Sequence, residues 1–138
     1  MTGSGPKKIL VVEDEPAIGE ICQRSLTMLG FEVTIASNGR VDQDRLSKRD
    51  YALILIDIRT PVMDGKELYH HIKENYPNLS GRVIFTSGDV MDGDTQRFLE
   101  QTNRPFLPKP FSPDELKAIA RETLRRMDNV REKDNTDC

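Results

Sequence analysis

The fold is decided at residues 51–57, which read YALILID, an apolar predicted strand that ends in a carboxylate. Similar runs lie at 9–12 and 83–86, and all three are continuously apolar rather than alternating in hydrophobicity. Such runs are typical of strands in a parallel sheet that helices cover on both faces. The segments 31–36 and 105–107 complete a set of five predicted strands.

Five helix-like segments alternate with these strands. The first begins at Pro16, the third at a capping-box-like sequence that starts at Asp64, and the fifth at Ser112, because these residue types favour helix starts. The second and fourth, at about residues 39–49 and 93–102, are more polar. The alternation predicts a three-layer α/β domain with right-handed crossovers.

Composition limits the class of protein. The chain has 138 residues, which suits one domain of roughly 100–200 residues, and its net charge of -3 gives no reason to expect nucleic-acid binding. No apolar run approaches the roughly 20 residues that span a bilayer, so no membrane association is predicted. Two cysteines make no disulfide framework, which favours a cytoplasmic protein. We expect a domain at 7–127 between polar tails, a flexible one at 1–6 and another at 128–138.

Polar side chains follow four of the predicted strands. Glu13 and Asp14 follow the first strand, Asp57 the third, Ser87 the fourth and Lys109 the fifth. Because the carboxyl ends of parallel strands share one edge of the sheet, these groups should converge there. Crowded carboxylates favour a divalent cation such as Mg²⁺. With a lysine and a hydroxyl, they are the groups that phosphoryl transfer to an aspartate requires.

Each of these features alone also has a structural explanation. The acidic run at 13–15 can match the dipole of the helix that follows it, and an aspartate at a strand end is often a turn former or a helix cap. Asp64 is better placed to cap the third helix, which leaves Asp57 unexplained by capping. The joint placement of these groups at four strand ends favours a functional site.

The chain resembles the receiver domain of two-component signalling over about residues 7–127. Four motifs in order carry the resemblance, namely ILVVEDE at 9–15, DIRTPVMDG at 57–65, VIFTSG at 83–88 and FLPKPF at 106–111. The resemblance implies a CheY-like, flavodoxin-like α/β fold. In that fold five βα units form a doubly wound parallel sheet of strand order 2-1-3-4-5.

The resemblance also implies roles for the acidic residues. Asp57 corresponds to the phosphoacceptor, Asp14 to the direct Mg²⁺ ligand beside it, and Glu13 to a residue that acts through metal-bound water. The backbone carbonyl of Arg59 would be a further ligand, with Mn²⁺ as an alternative to Mg²⁺. Glu13 is one methylene longer than the aspartate that is more frequent at its position.

The other site residues follow from the same resemblance. Ser87 matches the switch hydroxyl, Phe106 the switch aromatic and Lys109 the phosphate-binding lysine. Lys109 should pair with Asp57 when no phosphate is present, and the bond from Lys109 to the proline after it is expected to be cis. Phe106 lacks the hydroxyl of the tyrosine that is often found at its position.

Arg59 and Asp89 occupy variable positions that tune phosphate lifetime in this family. Because they are opposite in charge, we expect them to pair across the mouth of the pocket and to hinder an attacking water. The alternative is two solvated side chains worth little to each other. An unchanged acyl-phosphate lifetime in Arg59→Ala would exclude the first interpretation.

The implied function is to accept a phosphoryl group from the phosphohistidine of a sensor histidine kinase or a histidine phosphotransfer protein. Phosphorylation would move Ser87, Phe106 and the fourth helix. It would thereby switch the surface of the fourth helix, fifth strand and fifth helix toward an unidentified effector or a second copy of the chain. No enzyme activity is expected beyond self-catalysed phosphorylation and slow autodephosphorylation.

The chain is either a stand-alone receiver or part of a larger protein, and its motifs at 86–89 and 104–111 resemble those of hybrid histidine kinases.

Two other functions would use similar residues. A phosphatase of the haloacid-dehalogenase type also needs a nucleophilic aspartate and Mg²⁺, but its second aspartate is absent from DIRT at 57–60. A flavin carrier of the same fold needs a phosphate cradle, whereas the first loop here is acidic and the chain has no GxGxxG. Turnover of a phosphomonoester would favour the first function, and a yellow protein the second.

Overall fold

The computed structural model describes residues 7–38, 51–59, 64–88 and 92–136, with side chains through residue 127. The strands are β1 (Lys8–Val12), β2 (Glu32–Ala36), β3 (Leu53–Asp57), β4 (Val83–Ser87) and β5 (Phe106–Pro108). The helices are α1 (Pro16–Met28), α2 (Gly65–Asn75), α3 (Pro77–Ser80), α4 (Gly93–Thr102) and α5 (Pro113–Thr136). Each predicted strand lies within two residues of its observed bounds, and a helix follows each of β1, β3, β4 and β5 as the sequence predicts. The segment between β2 and β3 lies outside the described residues.

The five strands form one parallel sheet of order β2-β1-β3-β4-β5, as predicted. Val12 is in register with Ile56, Asp57 with Thr86, and Ser87 with Pro108. The carboxyl ends of β1, β3, β4 and β5 are therefore level with one another. Every loop that leaves these ends starts at the same edge of the sheet, which is where α/β folds of this kind place their sites.

Two hydrophobic clusters cover the two faces of the sheet. On one face, alternate residues of β1, β3 and β4 pack with α2 and α4, through Leu10, Ile54, Phe85, Ile72 and Phe98 among others. On the other face, the intervening residues of the same strands pack with α1 and α5. Every residue of β3 and of β4 is buried. This burial on both faces explains why the runs in the sequence are continuous rather than alternating.

Local signals in the sequence fix the helix starts. The Asp64 carboxylate caps α2 by accepting a hydrogen bond from the Glu67 amide at 3.0 Å. Ser112 and Glu115 form a reciprocal capping box at α5, since each side chain accepts a hydrogen bond from the other's amide, at 2.8 and 3.1 Å. Gly30 follows α1 with φ +96°, a left-handed conformation that favours glycine. The predicted starts of these helices are confirmed.

Three features differ from the sequence prediction or lie outside it. The short helix α3 was not predicted, although Pro77 at its first position is a known start signal. Helix α5 continues to Thr136, whereas a tail was predicted from residue 128, because the added turns include strong helix formers such as Arg131 and Glu132. The predicted second helix at 39–49 lies outside the described residues.

Among the described helices, none is both long and apolar enough to cross a membrane.

Candidate functional site

An acidic run leaves the carboxyl end of β1. The amide of Glu13 donates to the Ala36 carbonyl at 2.9 Å, which continues the β1–β2 pairing by one residue. The Glu13 side chain is buried, whereas Asp14 and Glu15 are exposed. The Glu15 amide donates to Glu13 Oε2 at 3.1 Å. The pairing and this hydrogen bond hold the Glu13 carboxylate inward, at the edge of the sheet.

Asp57 is the last residue of β3, next to β1 in the sheet. Its side chain is buried, and its Oδ1 accepts a hydrogen bond from the Arg59 amide at 3.0 Å. The backbone continues in register past it, because the Ile58 amide donates to the Thr86 carbonyl at 2.9 Å. The Asp57 carboxylate is therefore anchored on a rigid strand, with its second oxygen, Oδ2, directed toward the site.

Lys109 enters from β5. Its amide donates to the Ser87 carbonyl at 3.0 Å, and the bond from Lys109 to Pro110 is cis, as predicted. The ammonium Nζ lies 2.8 Å from Asp57 Oδ2, 2.9 Å from Glu13 Oε1 and 2.9 Å from Glu15 Oε1. The predicted pairing of Lys109 with Asp57 is confirmed, and one lysine side chain joins the ends of β1, β3 and β5.

The protonation behaviour of the site follows from its burial and crowding. The pKa of Glu13 is raised to about 7, chiefly by burial; the hydrogen bond from Lys109 opposes this rise, and the nearby charge of Asp57 adds to it. Burial alone would lower the pKa of Lys109, but hydrogen bonds to the carboxylates of Asp57, Glu13 and Glu15 raise it above its usual range. Lys109 therefore remains charged at neutral pH while its carboxylate neighbours compete for it.

The donor set suits a hard divalent cation. One carboxylate oxygen from each of Glu13, Asp14 and Asp57 lies within 4.8 Å of the others. Two oxygens on opposite sides of Mg²⁺ are about 4.2 Å apart, so a small closure of this cluster would accommodate the ion. With Glu15, four carboxylates lie at this edge of the sheet, and three of them contact the single ammonium group of Lys109. A cation would reduce this excess of negative charge, so the residues fit the predicted metal.

The remaining predicted residues lie around this cluster. Ser87 is fully buried at the end of β4, and Phe106 is half-buried at the start of β5, against the cluster of α2 and α4. The Arg59 guanidinium is 3.3 Å from Asp92 Oδ2, the carboxylate that caps α4. Asp89, the predicted partner of Arg59, lies outside the described residues, so that pairing stays a prediction.

Two residues with direct roles in this geometry were missed by sequence reasoning. Glu15 contacts Lys109, and Asp92 contacts Arg59. Glu15 belongs to the acidic run that the sequence shows, so its position at the edge of the sheet was predictable, but its contact with Lys109 depends on side-chain reach. Asp92 precedes the predicted fourth helix, where an aspartate is a typical cap.

Comparison with known proteins gives the family. Residues 9–121 match the response regulator receiver domain. Response regulator Rre1 of Synechocystis is 36% identical over 122 residues, which are 88% of this chain and 53% of that protein. A CheY-like receiver domain from Methanospirillum hungatei superposes with a TM-score of 0.82 at 25% identity, over 91% of this chain and 99% of that one.

A third relative shows a metal. The receiver domain of a sensor histidine kinase from Pseudomonas aeruginosa has a magnesium ion coordinated in its active-site cleft. It is 29% identical, with a TM-score of 0.75 over 87% of this chain and 98% of that one. The present chain spans about half the length of the response regulators that it matches among curated proteins, at 53% for Rre1. By its sequence, sheet topology and acidic cluster, the chain belongs to the response regulator receiver domain family of two-component signalling.

Proposed function

We propose that this receiver domain accepts a phosphoryl group on Asp57, from the phosphohistidine of a sensor histidine kinase or a histidine phosphotransfer protein. The observation that carries the proposal is the contact of 2.8 Å between Asp57 Oδ2 and Lys109 Nζ in a largely buried pocket that two further carboxylates border. A structural ion pair would need one carboxylate, and burying several without a further cation is costly. The arrangement is instead suited to a divalent cation, which together with Lys109 would hold a transferred group with negative charge.

In the transfer, an Asp57 carboxylate oxygen forms a bond to phosphorus as the bond from phosphorus to the histidine nitrogen breaks. Lys109 donates a hydrogen bond to one phosphoryl oxygen, and the Ser87 hydroxyl donates to another. Asp14 and Asp57, the Arg59 carbonyl and, through water, Glu13 would hold Mg²⁺ or Mn²⁺. The cation would neutralise charge on the phosphoryl oxygens. Arg59 and Asp89 would set the lifetime of the acyl phosphate by restricting access of water.

The phosphorylated state would act through the surface formed by α4, β5 and α5. Ser87 ends β4 beside the site and Phe106 begins β5, so a shift of the Ser87 hydroxyl toward phosphate opens room for the half-buried ring to turn inward. Ser87 precedes the segment that leads to α4, and Phe106 follows the segment that leaves α4. We propose that this surface binds the downstream effector, or a second copy of the chain, when Asp57 is phosphorylated.

The cellular location of the protein, its own chemistry and the extent of the receiver domain belong to the same proposal. We infer a cytoplasmic protein whose own chemistry is limited to phosphorylation and autodephosphorylation of Asp57. We place the receiver unit at residues 7–127, with segment 1–6 before it and the polar segment 128–138 after it. It works either alone or within a longer protein such as a hybrid histidine kinase; the similar receiver from Pseudomonas aeruginosa belongs to a sensor histidine kinase.

Intact-mass spectrometry tests the proposal. Incubation with acetyl phosphate and Mg²⁺ should add one phosphoryl group to the wild-type chain and none to Asp57→Asn. Asp114→Asn is the matched control, since Asp114 is an exposed aspartate in the first turn of α5. Adding EDTA should abolish the gain in mass. Equal phosphorylation of Asp57→Asn would refute the assignment, and steady turnover of a phosphomonoester would favour the phosphatase instead.

A further inference from the structure

The donors of Lys109 are fully occupied. An ammonium group has three N–H donors, and three different carboxylates lie within 2.9 Å of Nζ, those of Asp57, Glu13 and Glu15. A phosphoryl group on Asp57 needs at least one of these donors. One carboxylate must therefore leave Lys109 before or during phosphoryl transfer.

The three carboxylates differ in how easily they can leave. The side chains of Glu13 and Asp57 are 3% and 6% exposed, so they have little access to water that could replace the lysine. Glu15 is 61% exposed, and its carboxylate can turn into solvent without losing hydration. Ion pairs of exposed carboxylates are worth little, about 0–1 kcal/mol. Glu15 is the partner whose departure costs least.

We propose that Glu15 is a positioning residue that occupies the phosphate-binding donor of Lys109 in the resting state and yields it to the incoming phosphoryl group. This inference rests on the proposed function of Asp57. Glu15 holds the ammonium group at the mouth of the site, and it also presents a negative charge to any anionic phosphodonor. It thereby restrains phosphorylation by small donors.

The reaction that reports on this role is phosphorylation by acetyl phosphate. An Asp57 carboxylate oxygen attacks phosphorus, the bond between phosphorus and the acetate oxygen breaks, and acetate leaves with the electron pair. Glu15 forms no bond in this step. Its removal changes only the availability of Lys109 and the local charge, so the effect should appear in the rate rather than in the product.

The test compares Glu15→Gln with Glu20→Gln, which removes the same charge from an exposed position on α1, where Glu20 pairs with Arg24 at 2.7 Å. Glu15→Gln should phosphorylate about two- to fivefold faster with acetyl phosphate, the range that an exposed ion pair accounts for. The gain should shrink at high salt. Glu20→Gln should match the wild type. Magnesium affinity is measured by calorimetry because the chain has no tryptophan, and it should fall by no more than about fivefold in Glu15→Gln, the effect of one exposed charge. The urea midpoint should be the same in both variants.

Two results would overturn the inference while leaving the proposed function intact. If Glu15→Gln were phosphorylated no faster than Glu20→Gln, while wild type still gained one phosphoryl group on Asp57, Glu15 would not restrain Lys109. If Glu15→Gln weakened magnesium binding well beyond the roughly fivefold that one exposed charge accounts for, Glu15 would be a metal ligand instead. Failure of wild type to gain mass would refute the proposed function itself, and so the two failures are distinguishable.

Discussion

Substitution of Gly65 by alanine tests how tightly α2 packs against the end of β3, which carries Asp57. Gly65 is the first residue of α2, and its amide donates to the Ile58 carbonyl at 2.9 Å. A Cβ at this position would lie 2.6 Å from Ile58 Cα, 2.9 Å from the Asp57 carbonyl oxygen and 2.9 Å from Ile56 Cγ2. Two of these three atoms belong to the backbone and cannot rotate away.

The magnitude follows from two opposing effects. Overpacking of this kind typically costs 1–3 kcal/mol, and rigid backbone contacts favour the upper part of that range. Alanine in place of glycine gains at most about 1 kcal/mol of helix propensity. We therefore expect Gly65→Ala to lower the free energy of unfolding by about 1–2 kcal/mol. Relief of the contacts would also displace Asp57, so phosphorylation by acetyl phosphate should slow.

Gly93→Ala is the matched control, because Gly93 is the first residue of α4 and no atom of the described residues lies within 4 Å of its Cβ position. Urea unfolding followed by circular dichroism, in EDTA, should show Gly93→Ala at or above wild-type stability. The two variants should differ by about 2 kcal/mol. If Gly65→Ala were as stable as Gly93→Ala and phosphorylated equally fast, the argument from close packing would be wrong.

Two further predictions concern buried titratable groups. The folded pKa of Glu13, about 7, lies above its ordinary value of 4.5, so its contribution to stability is complete below about pH 4.5 and is lost as the pH rises through 7. Urea titrations in EDTA should therefore show a loss on the order of 2 kcal/mol between pH 5 and 8, which Glu13→Gln should reduce; an equal slope in both would contradict the assigned pKa. Cys22 is buried and its pKa is raised to about 12, chiefly by burial, so in Cys138→Ser the remaining thiol should react with a disulfide reagent at pH 8 only after denaturation. Prompt labelling of the folded chain would refute this.

The sheet and its order were predictable for a physical reason. Strands buried on both faces leave long apolar runs, as in β3 and β4, and parallel strands require the helices that lie between those runs. The helix starts were equally readable, because the caps at Asp64 and Ser112 are local interactions. The convergence of Glu13, Asp57 and Lys109 was predictable because each follows or ends a strand, and the carboxyl ends of parallel strands lie at one edge of the sheet.

Contacts that depend on side-chain reach were not predictable. Glu15 and Asp14 are neighbours in one acidic run, and only the folded geometry shows that Glu15 reaches Lys109. The contact of Arg59 with Asp92 joins residues 33 positions apart, both on loops, which no periodicity indicates. The length of α5 was underestimated because a polar composition suggests a tail, whereas helix propensity alone sustains the added turns.

Arg59 connects the site at Asp57 with the start of α4. Its amide donates a hydrogen bond to Asp57, the proposed phosphoacceptor. Its guanidinium contacts Asp92, which caps α4 and also accepts a hydrogen bond from the Thr95 hydroxyl at 3.1 Å. Linkage is reciprocal. If Asp57 is phosphorylated as proposed, a protein that binds the start of α4 must shift the phosphorylation equilibrium of Asp57 by the same factor by which phosphorylation changes the affinity for that protein. An exposed pair of about 0–1 kcal/mol limits that factor to roughly five. Under the proposed function, the pair can bias the response of the domain, and a larger response would need further coupling residues, such as the proposed switch residues Ser87 and Phe106.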